Sequence, residues 1–272
     1  NPHGDMAIYE TLVRLTTGNM ALLHPLVESK GNFGRVYSRD MKYAAPRYTE
    51  VKLADIAEAF FRDIDKETVD FVDNYDGTMK EPVLLPVAFP NILVNPNQGI
   101  AVGMASNICS FNLREVCEAT IAYIQQDQVN LMDYLKAPDF PTGGQILVDP
   151  EELAKIYQTG KGSFKVRARY RFDRKNSCIE VYEIPYTTTS EAIIESIAGI
   201  IKSGRIKDIV DVRDETDLDG LCIAIDIKRN ADPDEIMNKL FRLTTLQDTF
   251  NCNFNILVDQ KPMVLGIEGI LD

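Results

Sequence analysis

No run in this 272-residue sequence approaches the roughly 20 apolar residues that a bilayer-spanning helix needs. No signal-peptide pattern opens the chain. It begins with Asn1 rather than methionine and reads as a fragment of a longer chain, with elements upstream missing. Cysteine is sparse: Cys109, Cys117, Cys178, Cys222 and Cys252 form no Cys-x-x-Cys pair. Their odd number and mostly apolar surroundings predict reduced, buried thiols in a cytoplasmic protein. No cluster of His, Cys or paired carboxylates has metal-ligand spacing. The stretch Glu215-Thr216-Asp217-Leu218-Asp219-Gly220 falls short of a calcium loop, because it starts with Glu, carries Asp226 where the closing Glu belongs and runs into a strand pattern. Thr159-Gly160-Lys161-Gly162-Ser163 lacks the leading glycine of a P-loop, which argues against ATP binding by this chain. Internal repeats and low-complexity segments are absent as well.

What is present is an ordinary globular composition, 45% hydrophobic and 26% charged, in a length that allows one large or two ordinary domains. The formal net charge is -12. Against that balance, Lys30, Arg35, Arg39, Lys42, Arg47 and Lys52 form a cationic run opposed only by Asp40 and Glu50. A local positive strip on an acidic protein attracts a polyanion that the average surface repels. Within it lies Ala44-Ala45-Pro46-Arg47-Tyr48-Thr49-Glu50. A phenol can attack phosphorus when a neighbouring cation and a base or metal favour the phenolate over its usual pKa of ~10. By spacing alone, an exposed Arg-Tyr pair on a loop is the simpler reading.

The apolar spacing predicts a helix over Asp5–Leu15, capped by Asp5, with Ala7, Ile8, Leu12 and Leu15 recurring at helical intervals. Gly31–Ala45 reads as a loop or ribbon. A second helix is expected over Thr49–Asp63, with Leu53, Ile56, Ala57, Phe60 and Phe61 on one face. Pro82, Pro86, Pro90 and Pro96 mark an extended region. Beyond Met104 come a capped helix over Asn112–Gln125 and a turn at Asp139–Gly144. Half-exposed strands are expected over Lys165–Phe172 and Cys178–Ile184, then a helix over Ser190–Ser203. Strand Leu221–Ile227, helix Pro233–Leu246 and strand Phe254–Val258 follow. Such strand pairs separated by helices imply an α/β layer with mixed or antiparallel pairing.

Several words occur in a fixed order: His3-Gly4-Asp5, Lys30-Gly31-Asn32-Phe33-Gly34, Pro46-Arg47-Tyr48-Thr49-Glu50, Thr68-Val69-Asp70-Phe71 with Asn74-Tyr75-Asp76-Gly77, and Gly99-Ile100-Ala101-Val102-Gly103-Met104-Ala105. Asp139-Phe140-Pro141-Thr142, Glu183-Ile184-Pro185-Tyr186, Arg213-Asp214-Glu215-Thr216-Asp217 and Lys228-Arg229 continue the series. The ordered set resembles the breakage-reunion region of bacterial type IIA topoisomerase A subunits, and it covers essentially the whole chain. The resemblance implies an α+β class: a partial winged-helix domain over 1–105, then an α/β tower domain with a mixed sheet over 106–272.

It also implies a function. The matching tyrosine, Tyr48, would attack a DNA phosphodiester and hold the 5′-phosphate covalently, so that reverse attack reseals the strand. Arg47 would hold the scissile phosphate, and His3 would position phosphate or assist proton movement. Arg14, Arg35, Arg39 and Lys42 are candidate contacts to the DNA backbone; for Arg35 and Arg39 a solvated charged face is the alternative. Ile100 matches an isoleucine that wedges between base pairs, whereas a side chain buried in a hairpin is the reading without the family. Mg2+ and ATP are expected on the B subunit, in an assembly of two A and two B subunits that works on double-stranded DNA in the cytoplasm. The A subunit would form a homodimer, and the isolated fragment would cleave poorly or not at all. Asn1 stands where many relatives carry histidine. Met6 stands where many carry the serine that anchors fluoroquinolones, with Glu10 at the companion acidic position, which predicts weak drug sensitivity. The loop Val36–Tyr43 is longer than in the gyrase pattern.

Overall fold

The computed structural model describes residues 3–126 and 128–272; Asn1 lies outside the described residues. The chain divides into two compact units: 1–35, 41–97 and 110–136 form the first, and 36–40, 98–109 and 137–272 form the second.

The first unit contains helix α1 (Asp5–Leu15) and the antiparallel ribbon of β1 (Val27–Lys30) with β2 (Glu50–Leu53). A single helical turn α2 (Glu58–Phe61), a hairpin of β3 (Phe71–Asp73) with β4 (Lys80–Pro82) and helix α3 (Leu113–Gln125) complete it. The bounds of α1 match its apolar spacing, but the buried face does not. Tyr9 and Val13 face inward, packing with Phe33, Leu12 and Tyr43, while Ile8 is exposed. Nor does Asp5 cap the helix. It is the first helical residue, its carboxylate accepts from the Met6 N–H, and Gly4 occupies the cap position. The helix expected over Thr49–Asp63 is mostly not one. Glu50–Leu53 instead pairs with β1 in the register Val27↔Leu53 to Lys30↔Glu50, and only Glu58–Phe61 is α-helical. Val51 fits a strand as well as a helix, and a ladder partner decides between them.

The second unit holds two larger sheets. In strand order, one comprises β5 (Asn97–Ala101), β6 (Met104–Ile108), β13 (Gln247–Asn253), β8 (Lys161–Arg167) and β7 (Gln145–Leu147). The other comprises β11 (Ile209–Asp214), β12 (Ile223–Ile227), β10 (Cys178–Glu183) and β9 (Arg169–Asp173). Of the two pairings left open by the sequence, the ladders β13–β6, β13–β8, β7–β8, β10–β12, β10–β9 and β11–β12 are all antiparallel. A small hairpin of β14 (Asn255–Val258) and β15 (Lys261–Val264) and helices α4 (Pro150–Thr159), α5 (Ser190–Ser203), α6 (Pro233–Leu243) and α7 (Ile267–Leu271) complete the unit.

Local chemistry sets these helix ends. Asp149, Thr189 and Asp232 cap α4, α5 and α6 by accepting backbone N–H bonds, and Gly160 and Gly204 close α4 and α5 in the left-handed conformation. Alternation buries Phe164 and Val166 on β8, while Ile179, Val181, Ile223 and Ile225 join Ile193 and Ile197 of α5 in the core. The single strand expected over Lys165–Phe172 is split at Ala168, whose N–H donates to Leu246 O at 2.7 Å. The chain thereby passes from one sheet to the other. Among the five cysteines, all unpaired, Cys109, Cys178 and Cys252 are buried and Cys117 and Cys222 are half-buried. No helix among the described residues is long and apolar enough to cross a membrane.

Candidate nucleic-acid cleavage site

Tyr48 sits at the end of a short 3-10 turn, Pro46–Tyr48, between the loop and β2. Proline at the first position presets the turn backbone, and the turn closes on itself through Tyr48 N–H to Ala45 O at 3.0 Å and Thr49 N–H to Pro46 O at 3.2 Å. Tyr48 is 66% exposed, so a large substrate can reach it. The Arg47 guanidinium carbon lies 4.6 Å from the Tyr48 ring centroid, a cation–π contact that keeps positive charge beside the phenol.

The turn is tied to α1. The Tyr9 hydroxyl donates to Ala44 O at 2.9 Å and shares a bond of 2.8 Å with Thr49 Oγ1, touching the chain on both sides of Tyr48. One residue on, Glu10 accepts from the Tyr43 hydroxyl at 3.2 Å. Partial burial and the Glu10 carboxylate push the Tyr43 phenol above its ordinary value, so it stays a donor. Gly31 passes behind the turn at φ +103, where an added Cβ would stand 2.9 Å from Tyr48 O. A side chain there would be strained in its backbone and press on the turn.

The other candidates divide between the units. His3, Met6, Glu10 and Arg14 lie on exposed positions at or along α1. Arg35 is half-buried and donates from Nη1 to the carbonyls of Gly18 and Gly34, so its charge supports the bend after α1. Lys42 is exposed in the same loop, within the first unit. Arg39 and Ile100 belong to the second unit. Ile100, in β5 ahead of a turn with Gly103 at φ +76, is 94% exposed and not buried in its hairpin.

The partners around Arg39 have no counterpart in the sequence pattern. Glu191, in the first turn of α5, accepts from the Ser38 hydroxyl and from the N–H groups of Arg39 at 3.1 Å and Asp40 at 3.2 Å. Partial burial opposes its charge, but these three donors together with the N–H of Glu191 itself outweigh it and hold the Glu191 carboxyl down at about 2. Arg39 pairs with Glu195 at 3.3 Å, both side chains exposed. An acidic residue after a capping Thr reads as a local helix-start preference, and nothing in that signal points 150 residues back. Tyr9 escapes sequence reasoning for a similar reason, since it lies off the stripe of Ala7, Ile8, Leu12 and Leu15.

Among the described residues no three His, Cys, Asp or Glu side chains converge as a metal shell. Near the turn, Glu10 is already engaged by Tyr43. The described residues therefore do not fit a divalent ion.

The whole chain, residues 1–272, matches the family model of the A subunit of DNA gyrase/topoisomerase IV. It is 42% identical over 277 residues to the DNA gyrase A subunit of Borrelia hermsii, covering 100% of this chain and 34% of that protein. The corresponding protein of Clostridium acetobutylicum is 44% identical, again over 100% of this chain and 33% of the relative. For Escherichia coli K12 the identity is 41%, over 100% of this chain and 31% of the relative. The chain spans about a third of the length of these curated relatives. Matched along its own whole length by this family model and by these relatives, the chain belongs to the family of DNA gyrase and topoisomerase IV A subunits.

Proposed function

We propose that this chain carries the DNA-cleaving and religating chemistry of a type IIA topoisomerase. Tyr48 Oη attacks a backbone phosphorus, the bond from phosphorus to the 3′-oxygen breaks, and the leaving strand ends in a 3′-hydroxyl. The 5′-phosphotyrosyl ester conserves the phosphodiester energy, so attack by that hydroxyl restores DNA and the free phenol. Arg47 holds the scissile phosphate and stabilises charge on the phosphoryl oxygens, and His3 positions phosphate or moves a proton. Arg14, Arg35, Arg39 and Lys42 engage the backbone, with Arg35 also holding its own bend, and Ile100 unstacks a base step to bend the duplex. The observation that carries this reading is the exposed Tyr48 with the Arg47 guanidinium 4.6 Å from its ring centre.

In the whole protein, two copies of the A subunit, each cutting one strand, would work with a cytoplasmic B subunit that supplies Mg2+ and the ATP hydrolysis driving strand passage. The division into a winged-helix cleavage domain over 1–105 and a tower over 106–272 belongs to the same proposal. So does weak fluoroquinolone response, because Met6, 53% exposed on α1, offers a thioether where a hydroxyl is needed. Drug-trapped cleavage should rise in Met6→Ser, and equal titration curves would count against the drug assignment.

Labelled supercoiled DNA, mixed with Mg2+ and the full-length A and B subunits and quenched with detergent, tests the cleavage reading. A protein-linked 5′ end absent from Tyr48→Phe is expected. DNA binding with no linked product would favour a module that bends duplex without cutting it, a reading the projecting Ile100 side chain also supports.

A further inference from the structure

Tyr9 is buried at 7% exposure, and its ring is fixed by Phe33, 6.3 Å between centroids, and by Tyr43, 5.7 Å away edge to face. A ring so enclosed cannot swing out to meet a phosphate. Its hydroxyl nevertheless reaches two points that bracket the nucleophile, Ala44 O on one side and Thr49 Oγ1 on the other. The one phenolic proton goes to Ala44 O, so the Thr49 hydroxyl is the donor in the second bond, with Pro46 O at 3.2 Å as its competing acceptor. Within the turn the backbone bonds close it only on itself, and the Ala44 N–H before it donates to Asn32 O at 2.9 Å, whereas the Tyr9 hydroxyl alone reaches both flanks from α1.

We infer that Tyr9 is a positioning residue for Tyr48, clamping both ends of the Pro46–Tyr48 turn to α1 so that the nucleophile is held in its attacking orientation; this rests on the cleavage reading above. The clamp is uncharged throughout. It therefore aligns the phenol without placing a carboxylate against DNA, and it does not loosen with salt. Fixing a nucleophile's direction raises the rate of attack without tightening the ground-state complex.

The test combines the full-length A and B subunits with Mg2+, reading the single-turnover rate of linked-product formation beside DNA affinity and melting temperature. Tyr9→Phe keeps the ring and removes both hydroxyl bonds; cleavage should slow roughly tenfold with affinity unchanged within about twofold. Thr49→Val should slow it by less, Thr49→Ser should restore it, and Tyr9→Phe/Thr49→Val should be no slower than Tyr9→Phe alone. An unaltered rate in Tyr9→Phe, additive losses, or a fall that tracks melting temperature would each overturn the inference. Failure of the unmodified enzyme to form any linked product would instead overturn the cleavage reading, and the clamp with it.

Discussion

The segment 44–49 and the segment 36–40 belong to one loop but are held by opposite chemistry. Around Tyr48 the fasteners are neutral: the Tyr9 hydroxyl on Ala44 and Thr49, over the buried ring of Phe33. Around Arg39 they are charged: Glu191 gathers three donors and Glu195 meets the guanidinium. A carboxylate suits a place where donors must be collected, because a bond to an ionised acceptor is stronger than a neutral one. Beside a phenol that, on the cleavage reading, attacks a phosphodiester, the same carboxylate would repel the phosphate. The bonds that touch the turn on both sides of Tyr48 are thus neutral, and the nearest carboxylate fastener, Glu10, meets Tyr43 just outside the segment.

This contrast can be broken at several points. The largest effect is expected from Phe33→Ala, which empties a fully buried ring site beneath Tyr9; a loss of about 3–5 kcal/mol is expected by denaturant titration. Cleavage should fall with it, and the effect should change little between low and high salt. Glu191→Ala comes next, removing the acceptor that the Ser38 hydroxyl and the amides of Arg39 and Asp40 share, while the Asp40 N–H keeps its bond to Ser38 Oγ at 3.3 Å. A local loss of about 1–3 kcal/mol should appear as faster hydrogen exchange at those amides. Acid sharpens the same point. Because folding depresses the Glu191 carboxyl from 4.5 to about 2, its contribution is complete above about 4.5 and disappears as pH falls through about 2. Exchange protection of Arg39 and Asp40 should fade over that window, and Glu191→Gln should remove the pH dependence. The smallest effect belongs to Glu195→Gln. Exposed pairs contribute about 0–1 kcal/mol, so stability should barely change. Release of Arg39 should strengthen DNA binding a few-fold at low salt, with the gain vanishing at high salt. Weaker binding would show that Glu195 orients Arg39 instead of competing for it.

What is legible in the sequence follows from the range of each signal. Helices bounded by their own neighbours are readable: α1 and α5 run between the residues their spacing indicates, and Asn112 caps α3 as expected. Features that need a distant partner are not. Glu50–Leu53 is a strand because Val27–Lys30 offers a ladder, and the strand β13 is defined by pairing with β8 and β6. The stripe on α1 misleads because a tyrosine with two hydroxyl partners is buried as readily as an aliphatic residue, while Ile8 stays outside. At the candidate site, the Arg47–Tyr48 pair is visible as a motif. Tyr9 and Glu191 are not, since their roles consist of contacts across 35 to 153 positions of sequence.

The identity of the atom that carries DNA decides the cleavage reading most directly. Linked product from the full-length A and B subunits would be trapped, digested with nuclease and protease, and mapped by mass spectrometry for the peptide bearing nucleotide. A phosphodiester-derived adduct on Tyr48 alone is the expected result. An adduct on another residue, or cleavage that leaves the Pro46–Glu50 peptide unmodified, would contradict it.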